Sequence, residues 1–229
     1  MKPAVEVSAE HRERLCLVNE RLNQVFGYPE WRNPLPALDE LVSTFLSQNT
    51  NDLNRDKAFD AIRARYANWD EVCEADPDEF MQVIRVAGLA NQKGPNIQAA
   101  LRRIREERGE IDLEWLKELP VEEAREWLLS FKGVGRKTTA IVLLFSLGMP
   151  AFPVDTHIYR VSGRIGLRPQ KLDVDATHQY LEAATDPAQY YAMHLNLIRL
   201  GREICQARKP ACARCPLVDI CQYPDKVLG

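Results

Sequence analysis

The stretch 131–160, FKGVGRKTTAIVLLFSLGMPAFPVDTHIYR, constrains this chain more than any other. It opens with a tight glycine turn, Gly133-Val134-Gly135, followed by a helix-forming run with Lys137 near its start. That run stops at Gly148-Met149-Pro150, and Asp155 then stands at the head of a second helix. Paired glycines let the backbone turn sharply and bring its N–H groups close to a ligand. A helix start just behind such a turn attracts phosphate. One short segment therefore offers a phosphate grip, an amine and a carboxylate.

The rest of the chain reads as helix throughout. An amphipathic helix is expected over 8–26, with Leu15, Val18, Leu22 and Val25 on one face. A loop with three prolines and Trp31 leads to a helix over 37–47, apolar at Leu38, Leu41, Val42 and Phe45. The polar run Ser47-Gln48-Asn49-Thr50-Asn51-Asp52 holds turn and N-cap residues, and the next helix reaches about Tyr66. Short helices follow over 69–74 and 76–86, the second opened by Asp76-Pro77. The sequence Gly88-Leu89-Ala90-Asn91-Gln92-Lys93-Gly94 reads as a glycine-bounded loop. Further helices are expected over 96–105, 113–118, 121–130, 155–165, 175–184 and 187–205. No run alternates long enough, or gathers enough β-branched residues, to make a strand. None approaches the apolar length of a membrane span.

The tail carries Cys205-x6-Cys212-x2-Cys215-x5-Cys221 among basic and polar residues. Four thiols so close together are a metal-ligand set, and the spacing alone leaves tetrahedral zinc and an iron–sulfur cluster open. Structural zinc usually takes two short pairs, and only Cys212 and Cys215 form one here. Cys16 and Cys73 stand alone in helical patterns and are expected as buried small residues.

The hairpin Gly133-Val134-Gly135-Arg136-Lys137-Thr138, followed by Val154-Asp155-Thr156-His157, resembles the helix-hairpin-helix (HhH-GPD) DNA glycosylases, and most closely their endonuclease III branch. The resemblance covers nearly the whole chain. It implies an all-α fold of two lobes with a DNA groove between them. One is a six-helix barrel lobe with the helix-hairpin-helix, over 37–149; the other is a cluster lobe built from 1–36 and 150–229. Lys137 would be the Schiff-base lysine and Asp155 the catalytic aspartate. Lys132, Gly133, Val134, Gly135 and Arg136 would meet DNA, with Lys132 standing where the family usually has proline. Gln48 or Asn49 would enter the space left by a flipped base, Asn49 aligning with the family's usual glutamine. Leu89 would wedge between bases. Each residue also has a plainer use: Lys137 as a phosphate contact, Asp155 as an N-cap, the run 47–52 as a helix link and Leu89 as a cap on the core. His157 is expected to hydrogen-bond within its helix and His194 to face the core. For the tail, the resemblance implies a [4Fe–4S] cluster on Cys205, Cys212, Cys215 and Cys221. Arg208 and Lys209 would then be presented to phosphates by the loop 205–221.

The activity so implied is base excision repair. A damaged base, an oxidised pyrimidine, would be removed from double-stranded DNA through a lysine Schiff base, with β-lyase cleavage at abasic sites. The rivals are a monofunctional mismatch or adenine glycosylase, whose members generally lack the hairpin lysine, and a DNA-binding iron–sulfur protein without activity. A net charge of −3 argues against a protein that coats nucleic acid nonspecifically. It leaves room for a local basic face, and the segment 199–229 carries six Lys or Arg against three Asp or Glu. The N-terminus shows no apolar signal segment. A cytoplasmic (or, in a eukaryote, nuclear) monomer without membrane contact is the expectation.

Overall fold

The computed structural model describes residues 5–31 and 34–228, and among them it holds eleven α-helices and no strand. No helix there is long and apolar enough to cross a membrane. The chain divides into two compact units, 34–149 and 1–33 joined with 150–229.

The unit 34–149 is built on α2 (Ala37–Ser47), which packs against α3 (Asp52–Arg65), α6 (Ala90–Arg108) and α8 (Arg136–Ile141). Leu38, Leu41, Val42 and Phe45 recur at the spacing of one helix face, and all four are buried. Two polar caps mark the next starts. Asn51 accepts from the Asn54 N–H at 2.9 Å to open α3, and Asn68 accepts from Glu71 to open α4 (Trp69–Glu74). Asp76 caps α5 (Pro77–Val83), which stops short of the expected Val86 and gives way to a 3-10 turn over Arg85–Ala87. A buried polar knot ties α2 to these elements: Asp39 accepts from the Trp69 indole at 2.9 Å and pairs with Arg63.

The expected loop 88–94 is largely helix, because α6 begins at Ala90 instead of Asn96. Gly94 had the look of loop punctuation, yet its role is close packing. A Cβ there would lie 2.9 Å from Met81 Cγ on α5, so any larger residue would force Met81 to shift. The segment expected as a helix over 113–118 is a 3-10 turn, Glu114–Glu118, and α7 (Val121–Leu129) then leads into the hairpin.

In the other unit, α1 (Ala9–Phe26) packs on α10 (Val174–Ala184) and α11 (Tyr190–Glu203), and α11 packs on α9 (Thr156–Ile165). Asn196 donates to Asn23 Oδ1 at 2.9 Å and to the Gly27 carbonyl at 3.2 Å, fastening the N-terminal helix to the C-terminal third. Leu15, Val18 and Leu22 form the buried face of α1 together with Asn19. Val25 departs from the expectation and is 56% exposed, since the face ends one turn before the helix does. Cys16 departs too: it sits beside Leu15 on the outward face, exposed, and its thiol donates to Glu20 at 3.6 Å. Cys73 is buried.

Candidate functional site

The hairpin turn between α7 and α8 is specified by Gly133. Its φ is +85°, and a Cβ would stand 2.7 Å from Asn96 Nδ2 and 3.1 Å from Phe45 Cε1, so both backbone conformation and space demand glycine. The Val134 side chain turns into the core, 7% exposed, while its N–H donates to the Phe131 carbonyl at 3.1 Å. The turn therefore presents backbone outward. Gly135 is the N-cap of α8 and supplies no capping side chain. No side chain caps this helix start among the described residues, and the positive end of the helix stands behind the turn. Lys132 is exposed beside this turn, and Lys137 lies exposed in the first turn of α8 while Thr138, Thr139 and Ala140 are buried behind it. Past Ile141 the helix widens into a π-turn over Val142–Ser146, a feature that often accompanies functional sites.

Two further turns of the same unit carry sequence-predicted residues. Gln48 donates its amide to the Gly133 carbonyl at 2.9 Å, so the turn after α2 is tethered to the hairpin. Asn49, next to it, is exposed with φ +51°. Leu89 is 43% exposed with φ +50°, just ahead of α6. The left-handed region is costly for a side chain such as leucine, about 1–2 kcal/mol, and such strain tends to be held where function needs it.

Asp155 belongs to the other unit and is the N-cap of α9, accepting from the Ile158 N–H at 2.7 Å through Oδ1. Its plainer use is therefore real. The remaining oxygen has no hydrogen-bond partner among the described residues, and the residue is partly exposed. The buried run Ala151–Val154 that delivers it is pinned on several sides. His194 meets the Pro153 carbonyl at 2.9 Å, His178 meets the Phe152 carbonyl at 3.0 Å, and Glu182 accepts from the Phe152 N–H at 2.8 Å. His157 hydrogen-bonds one turn along its helix, to Arg160 at 3.1 Å.

The four tail cysteines line one cavity, walled by Ile165, Leu200, Ile204 and Val218 and flanked by Arg164 and Tyr223. Burial pushes the Cys215 and Cys221 thiols up. Among the described residues no three Cys, His, Asp or Glu side chains are grouped so as to hold a single metal ion. Four thiols around one apolar cavity are a donor set that an iron–sulfur cluster takes.

Sequence reading missed what anchors this loop. Arg164 donates to the carbonyls of Gln206 and Ala207 at 2.7 and 3.1 Å and to Cys205 Sγ at 3.5 Å, and it stacks on Tyr223. Arg160 donates to the carbonyls of Cys205 and Gly201 at 3.1 and 2.9 Å. The two arginines are four residues apart on α9, a spacing that places them on one helix face, and that spacing was the available signal. The helix capped by Asp155 thus carries the clamps of the cysteine loop. Arg208 and Lys209 are exposed on that loop, and Arg214 donates to the Glu203 carbonyl at 2.5 Å.

A family model described as HhH-GPD superfamily base excision DNA repair protein matches residues 42–187, well over half the chain. This chain belongs to the HhH-GPD superfamily. A second model, the iron–sulfur binding domain of endonuclease III, matches residues 205–221, and the cofactor is the [4Fe–4S] cluster of that family. A candidate DNA glycosylase of Arabidopsis thaliana is 36% identical over 91% of this chain and 72% of its own length. Endonuclease III of Sulfolobus acidocaldarius is 31% identical over 80% of each. Other plant relatives are far longer: the chain spans 12% of the Arabidopsis thaliana DNA glycosylase/AP lyase ROS1. Among solved structures, a non-covalent endonuclease III–DNA complex superposes with a TM-score of 0.79 at 25% identity, covering 95% of this chain and 96% of that one. Membership brings DNA repair, DNA binding and the glycosylase class with it.

Proposed function

We propose that the chain is a bifunctional DNA N-glycosylase and abasic-site β-lyase that removes oxidised pyrimidines from duplex DNA. The observation that carries this reading is Lys137, an exposed amine in the first turn of a helix whose leading N–H groups have no side-chain cap. A phosphate bound there holds the lesion strand beside a nucleophile.

The damaged nucleotide leaves the stack first. Leu89 wedges into the gap and Asn49 fills the vacated position; Gln48, whose amide is engaged by Gly133, anchors that turn. The neutral amine of Lys137 then attacks C1′ as the bond to the base breaks, and the departing base takes up a proton. Opening of the sugar ring at C1′–O4′ gives the protonated imine. Loss of a C2′ proton feeds electrons toward C3′, and the 3′-phosphate departs. Asp155 offers its unengaged oxygen to the cationic sugar or to the amine proton. Cys205, Cys212, Cys215 and Cys221 would hold the cluster, which supplies a rigid centre for the loop bearing Arg208 and Lys209.

The test is product analysis on duplexes holding thymine glycol or a preformed abasic site. Free base plus a β-elimination end on the first, and the same end on the second, is the expected result. Free base with an uncut sugar would replace this reading with a monofunctional glycosylase.

A further inference from the structure

Lys93 is a charged side chain in the interior, 2% exposed, within the first turn of α6. Its ammonium donates to two backbone carbonyls, Leu46 and Ala87, each at 2.7 Å. Among the described residues no carboxylate pairs with it. Both acceptors sit at chain reversals. Leu46 is the penultimate residue of α2, and the turn it enters carries Asn49. Ala87 ends the 3-10 turn that delivers Gly88 and Leu89. Carbonyls at helix ends lack intrahelical donors and are the negative end of the helix, so one buried cation satisfies both at once. The turns it bridges carry Asn49 and Leu89, exposed residues with left-handed backbones; among the described residues Lys209 of the cysteine loop is the other non-glycine residue so held. A lysine is an expensive choice for an interior position unless its charge is used.

We propose that Lys93 is a positioning residue that locks the Asn49 and Leu89 turns into one rigid unit, so that both tips enter the duplex in a single event. The inference rests on the reading of Asn49 and Leu89 as base-displacing residues. It makes extrusion of the damaged base depend on Lys93, while chemistry at a site that has already lost its base does not.

Lys93→Met keeps the stem and removes the donor. In single-turnover assays its excision of thymine glycol should slow by about ten- to a hundredfold, while cleavage at a preformed abasic site changes by less than about threefold. In a Leu89→Ala background the same substitution should cost clearly less than it does in wild type, because both changes act on the single insertion event. Equal losses on both substrates, or additive losses with Leu89→Ala, would overturn the proposal. If wild type proves inactive on both substrates, the proposed chemistry fails, and the positioning claim is read by binding alone. The probe is then 2-aminopurine opposite a tetrahydrofuran site: wild type should brighten it on binding, Lys93→Met should bind without doing so, and equal brightening would refute the claim. Should the variant not fold, amide exchange of the wild type decides. The Gln48 and Gly88 N–H groups should open together, with one protection and one denaturant slope; independent opening contradicts a shared lock.

Discussion

Replacing Arg160 with methionine removes three polar contacts while keeping the alkyl stem. The guanidinium donates to the Cys205 carbonyl at 3.1 Å and the Gly201 carbonyl at 2.9 Å, and it meets His157 Nδ1 at 3.1 Å. Gly201 is buried and Cys205 partly so, which leaves their carbonyls little access to water once the donor is gone. Burial also lowers the Arg160 pKa, so part of the gain from these bonds is already spent on desolvating the cation. Two carbonyls deprived of a charged donor in a half-buried site cost about 2–4 kcal/mol in all. For a chain of this size that corresponds to a fall of about 5–15 °C in the unfolding midpoint. Because Arg160 joins the helix capped by Asp155 to the first cysteine of the cluster loop, the loss should reach the cofactor. Cluster absorbance should bleach faster in the presence of chelator than in wild type, and the melting midpoint should fall. Unchanged midpoint and unchanged bleaching would refute the idea that α9 is the loop's anchor.

Other substitutions probe separate parts of the account. Gly133→Ala forces a side chain into a left-handed backbone and against Asn96 and Phe45, and should cost about 2–4 kcal/mol in urea unfolding along with a loss of duplex affinity. Asn49→Gly fits the left-handed backbone but loosens the unfolded chain, so stability should change by less than about 0.5 kcal/mol while excision of a paired lesion slows; a marked fall in stability accompanying the slowing would remove Asn49 from the insertion role. Glu40 has its pKa raised by burial, with Arg55 opposing the shift and Asp39 adding to it. The folded state then binds more protons than the unfolded one between the ordinary glutamate value and the raised one, so stability from this group declines as pH rises through that window. Glu40→Gln should flatten that decline in urea midpoints measured across pH, and an unchanged slope would show that another group sets it.

Helix positions were legible because two local signals agree in this chain. Leu38, Leu41, Val42 and Phe45 mark a face, and Ser8, Asn51, Asn68, Asp76 and Asp155 each accept from an N–H of the helix that follows. The errors arise where a residue type has two uses. Gly94 breaks a sequence pattern, yet its missing side chain serves packing inside α6. Cys16 follows an apolar habit, yet lies one position off the buried face of α1. The π-turn over Val142–Ser146 had no outward sign, because an apolar run of that length suits any helix. Lys93 was hidden for a stronger reason: lysines default to the surface, and its two acceptors are backbone carbonyls, one of them 47 positions away, that no side-chain pattern announces. The candidate catalytic pair and the cysteines were visible in motif spacing. His157 and His194 were placed in advance, one bonded within its helix and the other facing the core; the supporting arginines and His178 were not, because their partners are mostly backbone.

The most direct measurement is borohydride trapping on duplexes holding an abasic site or thymine glycol, with wild type and Lys137→Gln side by side. The account predicts a covalent protein–DNA adduct on both duplexes with wild type and none with the variant, while the variant still binds DNA and keeps its cluster. No adduct from wild-type protein that binds the duplex and carries the cluster would contradict the lysine mechanism at its root.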